Sequence, residues 1–297
     1  MDIKILSEKF CDYQVVFKGF APATIRRYRF VIKHYCKFAN ITDISGVTKD
    51  NVREMFYLGR IKYKWSANTF ICYHKTLVVF FRWCQMNNYI NFNPTDDLEV
   101  PKLNRVLPPK LTRQESMRIL ETVYNIPYYY KYLRFRNHAI FATFIFTGLR
   151  RKELLTLKYT DVDLENLSLF VRQGKGGKDR VIPICYRLAE ILKVYLKERV
   201  RLKKTCPEFF VSLNHNGPLS DCALRRMTEK VVKASGIKFN THKLRHSFAV
   251  LMLEGGCDIF SLSKMMGHSD IKTTTIYLAA TPEHLRSQMT KHPLNDL

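Results

Sequence analysis

Acidic residues are scarce in this chain: 26 Asp and Glu stand against 49 Lys and Arg in 297 residues, a formal charge of +23. The excess is spread along the chain instead of being held in one tail, which argues against a merely solvated charged face and points to a polyanion as partner. Close cysteine pairs are missing too. The eight cysteines, at 11, 36, 72, 84, 185, 206, 222 and 257, never come as C-x-x-C, so neither a zinc ribbon nor a thioredoxin motif is present, and they read as reduced, mostly buried thiols. Long apolar runs are absent. The longest mostly apolar stretch, Ala139 to Phe146 with Thr143 inside it, is too short to span a bilayer, and the start MDIKILSEKF lacks the basic and apolar regions of a signal peptide. No membrane attachment and a cytoplasmic location are therefore expected. With 46% hydrophobic residues, no internal repeat and no low-complexity segment, the chain has material for one large core or two ordinary ones.

Apolar residues recur at helical spacing from Ala21 to Phe38, through Ile25, Tyr28, Ile32 and Tyr35, with Arg26, Arg27, Arg29 and Lys33 on other faces. Pro22 suits the first turn, so a basic amphipathic helix is predicted. Further helices fit Thr48 to Leu58 and Ser66 to Met86. Residues 1–100 thus form a small helical bundle, and the proline-flanked stretch 101–109 reads as an extended linker. A second domain over 110–297 opens on the capping box Thr112-x-x-Glu115. It continues with a buried helix from Asn137 to Thr147 closed by Gly148. Two short β-rich runs, Leu167 to Arg172 and Arg180 to Ile184, flank the glycine-rich tip Gly174-Lys175-Gly176-Gly177-Lys178 and predict a hairpin. Helices follow over Ser220–Ser235, Thr241–Glu254, Asp258–Met266 and Asp270–Leu278. The fold class is mainly α with a small β-hairpin or sheet in the second domain.

Four strings carry chemistry. Thr147-Gly-Leu-Arg150-Arg-Lys-Glu153 sets an arginine after a glycine turn, with a carboxylate three residues on that can orient its guanidinium. The hairpin tip leaves Lys175 free to reach a phosphate, and Lys178 is the rival lysine in the same loop. In Thr241-His242-Lys243-Leu244-Arg245-His246-Ser247-Phe248, His242 and Arg245 share one helical face while Leu244 and Phe248 share another; His246 reads as a bystander. Met266-Gly267-His268 is followed nine residues later by Tyr277. Alone, each string has a structural explanation: a surface ion pair, a polar turn, a helix cap, a core tyrosine.

The ordered set Arg150, Lys175, His242 with Arg245, His268, then Tyr277 closely resembles the tyrosine recombinase family, the lambda-integrase-like and Xer-like site-specific recombinases, and the resemblance spans nearly the whole chain. It implies a two-domain clamp on double-stranded DNA, with a helical, SAM-like core-binding domain over 1–100 and a catalytic domain over 110–297. It also implies Tyr277 as nucleophile, Arg150 and Arg245 as phosphate clamp, Lys175 as acid for the leaving oxygen, and His242 and His268 as helpers, with His242 able to take the tyrosine proton. Two guanidiniums suit the non-bridging oxygens of a phosphodiester because each offers paired donors. A covalent phosphotyrosine conserves the bond energy, so no metal, ATP or other cofactor is expected. The resemblance further implies a homotetramer on DNA, alone or with a paralogous recombinase or accessory protein, and a tail from Pro282 to Leu297 exchanged with a neighbouring protomer.

Three other readings compete. A type IB topoisomerase-like enzyme shares the tyrosine chemistry, but the helical first hundred residues and the His268 string fit a recombinase better. A non-catalytic DNA-binding regulator is expected to lack one or more of the key side chains, all of which are present. A metal-dependent nuclease needs clustered carboxylates, and these strings are basic.

Overall fold

The computed structural model describes residues 1–103, 109–172, 179–268 and 270–278. The middle of the expected linker, the hairpin tip with Lys175 and Lys178, and the tail from Pro282 lie outside the described residues. The chain divides into two compact units, Met1–Arg105 and Val106–Leu297.

The first unit holds four α-helices among its described residues, α1 (Ile3–Val16), α2 (Pro22–Ala39), α3 (Lys49–Ile61) and α4 (Ala67–Met86). Pro22 opens α2, and Ile25, Tyr28, Ile32 and Tyr35 are buried on its inner face while Arg26, Arg27, Arg29 and Lys33 stay exposed. Thr48 and Asn51 close a capping box on α3, and Ser66 caps α4 through the Thr69 N–H. The core gathers Leu6, Phe10, Tyr35, Val52, Phe56, Phe80 and Phe81. Phe10 meets Phe80 edge-on with centroids 5.4 Å apart, the arrangement that ring quadrupoles favour. Helix α1 escaped the sequence reading because its apolar residues surround it: Ile3, Leu6 and Phe10 are buried, whereas Ile5, Val15 and Val16 are exposed.

In the second unit α5 (Arg113–Asn125), capped by the Thr112–Glu115 box, precedes the central helix α6 (Lys131–Thr147). From Ala139 to Phe144 every residue of α6 is buried, as befits a helix packed on α5 and on two later helices, α8 (Tyr186–Arg201) and α10 (Thr241–Glu254). Between them lie the short α7 (Arg151–Thr156) and a three-stranded antiparallel sheet, β1 (Val162–Asp163), β2 (Ser168–Val171) and β3 (Arg180–Pro183). Leu169 pairs with Ile182 and Val171 with Arg180. Leu169, Val171 and Ile182 turn into the core, the inward half of a period-two alternation. Then come α9 (Asp221–Ser235), α11 (Ile259–Met266) and α12 (Lys272–Thr275).

The helix expected over Asp270–Leu278 is shorter than the sequence suggests: only Lys272–Thr275 is α-helical, and Tyr277 sits in the turn beyond it. Three consecutive threonines explain the loss. Their branched side chains disfavour helix, and their hydroxyls compete for its carbonyls, as Thr275 Oγ1 does by donating to Lys272 O at 2.9 Å. No helix among the described residues is long and apolar enough to cross a membrane.

Candidate active site

The site lies in the second unit, where the ends of α6 and α11 meet the start of α7 and one face of α10. Gly148 ends α6 at φ +61°, and a Cβ there would fall 2.3 Å from a Phe248 ring atom, so both conformation and space demand glycine. Its carbonyl accepts a hydrogen bond from Arg245 Nη1 at 2.6 Å. The other terminal nitrogen of Arg245 donates to Met266 O at 2.6 Å and lies 3.2 Å from His268 Nε2. Ser247 Oγ, on the same helix, accepts from the Leu111 N–H and ties the start of the unit to α10.

Arg150 stands at the N-cap of α7. Its backbone N–H donates to Glu153 Oε2 at 2.7 Å, its Nη1 to Glu153 Oε1 at 2.8 Å, and its Nη2 to Gly267 O at 3.0 Å. Gly267 follows Met266 directly, so the two guanidiniums hang from adjacent carbonyls at the end of α11. Glu153 also accepts both terminal nitrogens of Arg180, at 3.0 and 2.8 Å. Burial alone would raise the Glu153 carboxyl, but the hydrogen bonds and charge of Arg180, together with Arg150, bring it down to about 2. Arg180 is nearly buried and donates its Nε to Met265 O at 2.7 Å. It packs so tightly under Gly267, which has φ +63°, that a Cβ there would come within 2.9 Å of it. Burial and the neighbouring Arg150 charge lower the Arg245 guanidinium to about 10, leaving it cationic at neutral pH.

Arginine nitrogens only donate, so His268 Nε2 accepts from Arg245, and Nδ1 carries the proton that goes to Thr274 Oγ1, 2.8 Å away. Tyr277 is buried, and its hydroxyl lies 2.7 Å from His246 Nδ1. Burial raises the phenol above its ordinary range, while the charges of Arg245 and Arg150 pull it back. Burial, then the neighbouring His242 and Arg245, hold His246 below the usual imidazole range.

Arg150, Arg245, His268 and Tyr277 are therefore brought together, as a pair of anchored cations beside one phenol. His242 is exposed one turn before His246, on the wall of a pocket of about 420 Å³ that it shares with Pro109, Lys243 and His246. Its side chain makes no hydrogen bond among the described residues. Lys175 lies outside the described residues. Glu153 was legible beforehand; Arg180 and His246 were not. His246, read from the sequence as a bystander, bonds Tyr277, a contact across 31 residues that local spacing does not signal. No group of three or more His, Cys, Asp or Glu able to hold a metal occurs among the described residues.

The phage integrase family profile matches residues 109–284. The chain belongs to that family. It is 37% identical over 289 residues to tyrosine recombinase XerA of Pyrococcus horikoshii, covering 97% of this chain and 93% of that protein. Among solved structures, XerH recombinase bound to its palindromic difH substrate after cleavage shares the fold, with a TM-score of 0.74 at 22% identity over 95% of this chain and 83% of that one. A lambda integrase tetramer bound to a Holliday junction does so with a TM-score of 0.72 at 20% identity, over 93% of this chain and 77% of that one. The protein is thus a tyrosine recombinase, an enzyme of site-specific DNA recombination, and the topoisomerase and regulator readings are not favoured.

Proposed function

We propose that this recombinase cuts double-stranded DNA with the Tyr277 hydroxyl, forming a 3′-phosphotyrosine and a free 5′ hydroxyl, and then rejoins strands by the reverse reaction. The observation that carries the reading is one buried phenol under the influence of two guanidiniums that hang from the adjacent carbonyls Met266 O and Gly267 O. Arg150 and Arg245 hold the non-bridging oxygens, whose charge grows in the transition state, and fixed donors act there without reorganising. His268, its tautomer set by Thr274, aligns Arg245. Lys175 from the hairpin tip, with Lys178 as rival, protonates the leaving 5′ oxygen. His242, at the pocket rim, is the helper that takes the Tyr277 proton.

In this reading residues 1–100 are the core-binding domain, 101–109 the linker and 110–297 the catalytic domain. The exposed arginines of α2 support the first assignment. Exchange between two duplexes, each cut on both strands, needs four tyrosines, hence a homotetramer on DNA, alone or with a paralogous recombinase or accessory protein. The tetrameric lambda integrase is consistent with this. A basic cytoplasmic protein of charge +23 releases counterions as it binds, so assembly weakens steeply with salt. The test is Tyr277→Phe on a nicked suicide substrate. Loss of the covalent adduct with DNA binding retained is expected; an undiminished adduct would end the assignment.

A further inference from the structure

The carboxylate that orients Arg150 also opposes it. A negative charge 2.8 Å from Arg150 Nη1 draws the guanidinium toward itself and cancels the charge that a phosphate would meet. Arg180 stands against the same carboxylate. Its Nη1 and Nη2 take one oxygen each, at 3.0 and 2.8 Å, the paired geometry in which a guanidinium binds a carboxylate most firmly. Arg150 sets one terminal nitrogen on Glu153 and the other on Gly267 O. The two arginines differ in access as well, the Arg150 side chain being 22% exposed and that of Arg180 9%. A phosphate can therefore reach Arg150, whereas Arg180 is engaged inside the protein, with its Nε on Met265 O at 2.7 Å. Its charge is nonetheless felt at the clamp: after burial and Arg150, Arg180 is a further cause that lowers the Arg245 guanidinium.

We infer that Arg180 is a positioning residue of the recombinase: held bidentately on Glu153, it neutralises the carboxylate that orients Arg150, so that both clamp arginines meet the scissile phosphate with their full charge. This rests on the reading of Arg150 and Arg245 as the clamp. Charge decides the matter. Arg150, Arg180 and Arg245 around Glu153 leave two net positive charges. Attack on a phosphodiester takes the scissile group from one negative charge toward two, shared over its non-bridging oxygens. Fixed charges that match this change stabilise the transition state more than the ground state. Without Arg180 the site holds one net positive charge, and Glu153 is left to Arg150 alone. The same side chain supports the geometry. It lies under Gly267, where a Cβ would come within 2.9 Å of it, and its bond to Met265 O fixes the residue before Met266, whose carbonyl carries Arg245. Arg180 thus acts on the substrate through Glu153 and the clamp, without touching it.

The test is single-turnover cleavage of a nicked suicide substrate by the full chain carrying Arg180→Gln, which keeps a donor for Glu153 and loses the charge. Cleavage slower by about tenfold or more, the effect of one charge beyond direct contact, is expected with DNA binding retained. Adding Glu153→Gln to Arg180→Gln is expected to recover most of that loss, because the two substitutions together restore the net charge. On a substrate with a neutral methylphosphonate at the scissile position, Arg180→Gln is expected to fall within a few-fold of wild type, since a non-bridging charge is gone. Unchanged cleavage of the ordinary substrate by Arg180→Gln overturns the inference. A double variant no faster than Arg180→Gln also overturns it, as does a deficit equally deep on the methylphosphonate, because either result assigns Arg180 a purely structural part. Rescue by sulfur at the bridging 5′ position overturns it too, since the defect then lies with the leaving group. Arg180→Met under the same assays covers the case in which the Gln chain does not fold. Wild-type cleavage by Arg150→Ala or Arg245→Lys is a separate result, which removes the clamp reading itself.

Discussion

Replacing Glu153 by Gln tests how the clamp is held together. The carboxylate takes four hydrogen bonds, two from Arg150 and two from Arg180, and its side chain is only 6% exposed. A carboxyl lowered from 4.5 to about 2, at about 1.4 kcal/mol per tenfold change in acidity, contributes about 3 kcal/mol to the stability of the folded unit. Because the folded-state value is the lower one, that contribution is complete above about pH 4.5 and is lost as the pH falls toward about 2. The glutamine removes the charge and turns an NH2 group toward donors, leaving two guanidiniums unneutralised beside Arg245. Glu153→Gln is therefore expected to be about 3 kcal/mol less stable at pH 7, the scale on which breaking a buried pair costs folded proteins. Urea unfolding of wild type and variant at pH 7 and pH 3, read as the difference between the two proteins, isolates this carboxyl from the others that titrate in acid. The difference should shrink as the pH falls. Equal stability at pH 7, or a difference that stays constant into acid, would refute the reasoning.

Arg245→Lys should bind DNA yet cleave it poorly, because an ammonium cannot reach Gly148 O and Met266 O together and still face a phosphate as a fork; wild-type cleavage would take Arg245 out of the clamp. Lys175→Ala should slow cleavage strongly and be rescued by sulfur at the bridging 5′ position, since a thiolate leaves without a proton; rescue of Lys178→Ala instead moves the acid role there. Deletion from Pro282 should leave binding to a single site intact while impairing tetramer formation, measured by sizing and native gels on a mapped site with strand transfer scored in parallel. Full recombination by the truncated chain would dismiss a docking role for the tail.

The elements that carry strong local signals were legible in the sequence. Pro22 with a clean apolar stripe marked α2, the Thr112–Glu115 box marked α5, and Gly148 and Gly267 marked the helix ends beside the site. Contacts between distant segments were not. Arg180 looks like the first residue of a strand, and nothing in its neighbourhood says that its guanidinium reaches Glu153 and Met265. Local pattern likewise extends the last helix through Tyr277, whereas the threonine hydroxyls bond its carbonyls and release the tyrosine into a turn. His268 was expected for its place in an ordered set, but that it reads Arg245 with one nitrogen and Thr274 with the other is a property of the folded unit alone.

The carbonyls of Gly148, Met266 and Gly267 do more than hold two side chains. They fix both guanidiniums to rigid helix ends in the protein without DNA, so a phosphodiester meets a clamp that has little freedom to follow it. Successive phosphates of one strand are about 3.4 Å apart along the duplex axis, whereas a hydrogen bond weakens over a few tenths of an ångström. A duplex seated one nucleotide out of register would offer its phosphate beyond the tolerance of the pair, and no swing of Arg150 or Arg245 would recover it. If Arg150 and Arg245 hold the scissile phosphate as proposed, the clamp works as a ruler: binding contacts made elsewhere on the DNA are translated into which single bond can be cut.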